Sequence, residues 1–123
     1  VGELLIERER GETERVLEAQ VKGAFSGLKA EDMGSISIAY EPVWAIGTGK
    51  VATPEMAEEA HRVIRGIIKS LFGEKTAAGI PVLYGGSVKP DNISGLYTQE
   101  NIDGVLVGGA SLEEDSFLKI INV

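Results

Sequence analysis

Apolar residues follow two rhythms along this chain. Short, nearly unbroken apolar runs at 36–40, 80–84 and 103–107 predict strands covered on both faces. Between them lie stripes with helical spacing. Leu17, Val21, Ala24, Phe25 and Leu28 fall at i, i+4, i+7, i+8 and i+11. Thr13 is placed to cap that helix and Gly27 to stop it. The strongest start signal is Thr53-Pro54-Glu55, a cap, a proline for the first turn and an acid against the positive helix end. Its stripe is Ala60, Val63, Ile64, Ile67, Ile68 and Leu71, and Gly73 closes it. A short helix is predicted from near Pro90 to Tyr97. A last one follows Ser111 and Glu114, which have capping-box spacing ahead of Phe117, Leu118, Ile120 and Ile121. Val1-Gly2-Glu3 reads as the end of a further strand, and the charged stretch from there to Glu12 has only weak periodicity.

Strands and helices alternating at this spacing predict βαβ units and a parallel sheet. A (β/α)8 barrel and a doubly wound sheet both satisfy the order. In either, function gathers where the strands end. The unusual residues stand at those ends: Glu3, Glu41, Gly85-Gly86-Ser87 and Gly108-Gly109.

Composition narrows the partners. The chain has 123 residues, enough for one domain, and a net charge of −7, which disfavours nucleic acid and anionic membranes. There is no cysteine for a disulfide or thiolate site, and one histidine cannot make a zinc site. No apolar run reaches the length of a membrane span. The opening Val1-Gly2-Glu3 suggests a strand already under way, so a piece of a larger protein is expected.

The richest segment is Ala39-Tyr40-Glu41-Pro42-Val43-Trp44-Ala45-Ile46-Gly47-Thr48-Gly49-Lys50. Pro42 forces Glu41 into extended backbone at a strand tip. The loop beyond it carries Trp44 and Ile46 where a plain surface loop is polar, so it reads as a catalytic base beneath a glycine-jointed lid, against the plainer reading of a solvated acid. The two glycine pairs let backbone N–H groups approach a phosphate, although tight turning explains a single pair equally well. Neither pair fits the Walker or dinucleotide pattern. Glu3 is either surface decoration or the acceptor for the Trp44 indole. His61 is expected to be a partly exposed helix residue outside the chemistry. Glu58 and Glu59 are expected to form solvated pairs with Arg62.

The segment from Ala39 to Lys50 resembles the active-site signature of the triosephosphate isomerase family. Tyr84-Gly85-Gly86-Ser87-Val88 and Val105-Leu106-Val107-Gly108-Gly109-Ala110-Ser111-Leu112 resemble its two phosphate-side loops, in the same order. The resemblance covers essentially the whole chain. It implies the C-terminal half of a (β/α)8 barrel, residues 1–123 forming one partial domain from the end of strand five through helix eight.

It further implies that Glu41 is the general base interconverting dihydroxyacetone phosphate and glyceraldehyde 3-phosphate through an enediolate. Gly47, Ser87, Gly108 and Gly109 would bind the phosphate. Pro42, Val43, Trp44, Ala45, Ile46, Thr48, Gly49 and Lys50 would form the lid and its hinges, contacted by Tyr84, Ser87 and Glu3. No metal or organic cofactor, a cytoplasmic glycolytic setting and a homodimer of the full enzyme go with the family. Its lysine and electrophilic histidine belong to the N-terminal half, and His61 matches neither. The 123 residues are therefore expected to be inactive alone and to associate with a complementary half or with themselves. A non-catalytic half-barrel module and another phosphate-binding barrel enzyme are the alternatives.

Overall fold

A computed structural model describes residues 1–123. Three strands, β1 (Ile38–Tyr40), β2 (Val82–Tyr84) and β3 (Gly104–Val105), form one parallel sheet in the order β1-β2-β3. The helices are α1 (Leu5–Glu9), α2 (Thr13–Ala24), α3 (Pro54–Phe72), α4 (Glu74–Gly79), α5 (Ile93–Tyr97) and α6 (Glu114–Ile121). Helices separate the parallel strands and the sheet does not close, as in half of a (β/α)8 barrel.

Residues 1–3 run beside β1 in parallel fashion. The Glu41 N–H donates to Val1 O at 2.7 Å and the Val43 N–H to Glu3 O at 3.1 Å. On its outer side the Gln20 amide of α2 covers Gly2, accepting its N–H at 2.8 Å and donating to its carbonyl at 3.0 Å. Only glycine fits at Gly2, because a Cβ there would stand 1.9 Å from the Glu41 carbonyl oxygen.

Both β1 and β2 alternate buried, half-buried, buried. Ile38, Tyr40, Val82 and Tyr84 are buried, with Ile38 beside Val82 and Tyr40 beside Tyr84. Ala39 and Leu83 face the other way and are only half-buried. The expectation of two covered faces therefore fails, because three open strands do not bury their second face by closing on themselves. β3 is also shorter than its apolar run. It pairs with β2 in parallel only through Leu83 with Gly104 and Tyr84 with Val105, and the Asp103 and Leu106 N–H groups on either side donate to Val82 O and Tyr84 O.

α3 starts as its sequence predicts, with Thr53 Oγ1 accepting the Met56 N–H at 3.2 Å. Its buried face is shifted from the expected stripe and comprises Ala57, Ala60, His61, Ile64 and Ile68, with Val63 and Ile67 half-buried and Leu71 exposed. The partly exposed His61 expected from sequence is in fact fully buried. Nδ1–H donates to the Ala57 carbonyl one turn back at 2.8 Å, which lets a polar ring enter the core, while Nε2 has no partner. The ring packs edge-on to Tyr40 at 5.6 Å and tilted to Tyr84 at 6.4 Å.

Burial lowers the His61 pKa below the ordinary 6.5, so the unfolded chain takes the proton first as pH falls. Stability is expected to be flat above about pH 7 and to decline below about 6.5, with a slope of at most about 1.4 kcal/mol per pH unit from this group. Urea unfolding at pH 5.0 and 7.5 checks this. The pH difference should shrink in His61→Leu, and an undiminished difference would show that other groups carry it.

Several side chains take other partners or positions than their local patterns predict. Glu58 accepts the Asn101 N–H at 2.9 Å and its side-chain amide at 2.5 Å, and Glu59 lies 3.9 Å from Arg8, so neither makes the expected pair with Arg62. Ser111 caps no helix. Its hydroxyl donates to Gly108 O at 2.7 Å within a 3-10 turn, and α6 begins after Glu113. Thr13 lies inside α2 rather than capping it, with Glu12 at the cap position. At the ends of β2 and β3 away from the site, Arg65 of α3 donates to Ala77 O at 2.7 Å, Asn101 O at 3.1 Å and Asp103 Oδ2 at 2.7 Å.

Candidate active site

Three loops after the strands enclose one cleft of about 810 Å3. β1 delivers Glu41, Ala45, Ile46 and Gly47 to its wall; β2 delivers Gly85, Gly86 and Ser87; β3 delivers Gly108 and Gly109. Parallel strands place all these loops at one end, which is how residues up to 68 positions apart come to share a site.

Glu41 is half-buried and its backbone is held on both sides. Its N–H donates to Val1 O, and the neighbouring Gly85 N–H donates to Tyr40 O at 2.8 Å. The side chain lies over Gly85. A Cβ on that glycine would sit 2.6 Å from Glu41 Cγ and 3.1 Å from Oε1. The missing side chain at Gly85 is therefore the space the carboxylate occupies. Gly85→Ala is expected to displace the carboxylate rather than the backbone. Activity should fall about 100-fold, as for a misplacement on the order of 1 Å, while stability falls only about 1 kcal/mol. Turnover and urea unfolding, both measured on a barrel completed with a relative's N-terminal half, check both parts, and a proportionate loss of the two would refute the displacement.

The glycines of the last two loops differ in their reasons. At Gly86 a Cβ would strike the Tyr84 hydroxyl at 2.2 Å, so packing alone demands glycine. At Gly108 and Gly109 a Cβ meets nothing within 4 Å, and neither has a positive φ. Nothing in the chain's own packing requires glycine there. Ser87 stands in a turn held by Asn92, whose Nδ2 donates to Ser87 O at 2.8 Å and whose Oδ1 accepts the Lys89 N–H at 2.8 Å.

The loop after Glu41 is half anchored and half free. Pro42, Trp44 and Ala45 are buried, whereas Val43 and residues 46–51 are exposed. Its tip is closed by its own contacts. Thr48 Oγ1 donates to Trp44 O at 2.5 Å and accepts the Lys50 N–H at 3.2 Å, with Gly47 and Gly49 at φ +67° and +78°. The anchor is Glu3, which is completely buried. Its carboxylate accepts the Trp44 indole N–H at 3.1 Å, the Tyr40 hydroxyl at 3.0 Å and Arg8 Nη1 at 3.0 Å. Burial and the Glu3 charge push the Tyr40 phenol far above the tyrosine range, so it stays a neutral donor.

Some expected contacts are absent from this arrangement. Neither Tyr84 nor Ser87 hydrogen-bonds residues 43–50 through its side chain. The Tyr84 hydroxyl is buried without a hydrogen-bond partner. Burial raises its pKa, and the Ala52 backbone lies close enough to oppose that rise. Glu3, Pro42, Val43, Trp44, Thr48, Gly49, Lys50 and Tyr84 stand behind or beyond the cleft wall rather than on it. Sequence reasoning passed over Arg8 and Gly2. Arg8 lies in a charged stretch without periodicity, and the contact that makes Gly2 necessary is with a residue 39 positions away.

An acid at a strand tip, a half-anchored loop beside it and glycine-rich loops across the cleft define a βα-repeat protein with one cleft at the ends of its strands. The family model for triosephosphate isomerase matches residues 1–123. Among curated proteins the chain is 54% identical over 121 residues to the triosephosphate isomerase of Geotalea uraniireducens (strain Rf4), covering 98% of this chain and 48% of that protein. It is 56% identical over 122 residues to that of Solibacter usitatus (strain Ellin6076), covering 99% and 49% respectively. The chain belongs to the triosephosphate isomerase family. It spans about half the length of the curated relatives it matches.

Proposed function

We propose that this chain contributes the general base, the lid and the phosphate-binding loops of a triose-phosphate isomerase. The supporting observation is the position of Glu41, seated over Gly85 across one cleft from Ser87, Gly108 and Gly109. A dianionic phosphate suits the far wall, where backbone N–H groups approach without side chains in the way. The carboxylate then faces the carbon beside the carbonyl, takes a proton from it and returns that proton to the former carbonyl carbon, while a proton passes from the hydroxyl oxygen to the carbonyl oxygen. The enediolate formed between these steps is protected when residues 43–50 exclude water.

Pro42-Val43-Trp44 and Thr48-Gly49-Lys50 serve as the hinges of that lid. Tyr84 and Ser87 hold it when it closes, and Gly47 then reaches the phosphate. Residues 1–123 form one partial domain, from the end of the fifth strand through the eighth helix of the barrel. An N-terminal half supplies the lysine and the histidine that polarises the carbonyl, and the completed enzyme works as a cytoplasmic homodimer. No helix of this chain is long and apolar enough to cross a membrane. The test joins this chain to the first half of the Geotalea uraniireducens relative and follows glyceraldehyde 3-phosphate to dihydroxyacetone phosphate. Turnover is expected, and a folded barrel with none overturns the reading.

A further inference from the structure

Arg8 is the one cation paired with the buried Glu3 carboxylate, at 3.0 Å, and its own side chain is 14% exposed. The same guanidinium stands 5.7 Å from the centre of the Trp44 ring. It therefore touches both the acceptor of the indole hydrogen bond and the face of the ring that donates it. Further contacts reach Thr13 Oγ1 of α2 at 3.4 Å and Glu59 of α3 at 3.9 Å. A carboxylate at this depth is costly without a charged partner, and a planar guanidinium can satisfy it while lying against an aromatic face. Trp44 and Ala45 are in turn the buried residues immediately before the exposed tip at 46–50.

We propose that Arg8 is a positioning residue for the lid: by holding Glu3 and covering Trp44, it fixes the hinge from which residues 43–50 move. This rests on reading that segment as a lid, but it concerns only the anchor and needs no substrate. Arg8 does not line the cleft, so it acts through Glu3 and Trp44 and not on the reacting atoms.

The chain contains one tryptophan, so its indole N–H gives a single resonance whose exchange with water reports on the Glu3 bond. In the 123-residue chain, Arg8→Met is expected to speed indole exchange at least tenfold, with the core amides of Ile64 and Val82 within twofold of wild type. Arg8→Lys keeps a charged donor and should return exchange to within threefold. A merely structural role would instead speed the core amides together with the indole. Unchanged indole exchange in folded Arg8→Met, or a parallel rise at the core amides, overturns the proposal. If Arg8→Met does not fold, Arg8→Gln retains an uncharged donor to Glu3 and is read in its place. There a threefold or larger selective rise supports the proposal and no rise overturns it. Failure here would leave the isomerase reading intact, since that is judged by turnover in the completed barrel.

Discussion

Replacing Glu41 by glutamine is expected to lower turnover about a thousandfold in a barrel completed from this chain and a relative's first half. That is the middle of the range a positioned general base contributes. Glutamine keeps the shape that fits over Gly85 but cannot take a proton. The loops proposed to bind the phosphate follow β2 and β3 and stay as they are, so KM should change little while kcat falls. Steady-state kinetics with glyceraldehyde 3-phosphate separates the two constants. A comparable rise in KM with kcat preserved would make Glu41 a binding residue, and the proton-transfer reading would be wrong.

The second large effect concerns the 123 residues assayed by themselves. Their turnover is expected to fall at least about ten-thousandfold below that of the completed barrel. Two groups acting on the developing enediolate, a cation and an electrophilic donor, come from outside this stretch in the proposed mechanism. One such preorganised donor is worth about 3 kcal/mol of barrier, and two make about four orders of magnitude. Adding the complementary half should restore turnover. Near-equal activity of the isolated chain would show that Glu41 and the phosphate loops suffice. Sedimentation of the isolated chain should show self-association, because an unpaired strand edge and an uncovered face favour it.

Much of the fold was legible because its determinants are local. Thr53, Pro54 and Gly73 mark the ends of α3 through capping, a fixed proline φ and a glycine at φ +88°, which are properties of a few adjacent residues. Two of the short helices were not legible. α1 has five residues, and α4 starts directly after the glycine that ends α3, so neither shows a periodic stripe long enough to read. The loop glycines were visible as pairs. Their separate reasons were not, since Gly86 answers to a hydroxyl two residues back and Gly108 to open space.

Within the candidate site, Glu41 and the loop after it stood out because a carboxylate, a proline and an indole in succession have few structural uses. Glu3 could be read either as decoration or as an indole acceptor, and the structure places it in the second role. The misreadings share a cause. His61, Glu58 and Ser111 each have a reasonable local partner or a solvated state, and each is claimed by something else. A helix wheel places His61 beside the stripe without saying how wide the covering layer is. That width depends on Tyr40 and Tyr84, which lie on two separate strands.

By itself, then, the sequence determined the alternation of strands and helices, the end of the sheet where its unusual residues gather, and the family. These follow from spacing and from short motifs, and each is complete within a few turns of chain. Only the tertiary structure decided that Glu41 rests over Gly85, that Arg8 and Tyr40 converge on Glu3, and that His61 is sealed in the core. Those contacts join residues from 5 to 44 positions apart. Except for Arg8, which reaches Glu3 from the next short helix, they exist only once β1 and β2 lie side by side with α3 packed behind them. Side-chain neighbours across a parallel sheet are set by register and layer packing, which no local pattern encodes.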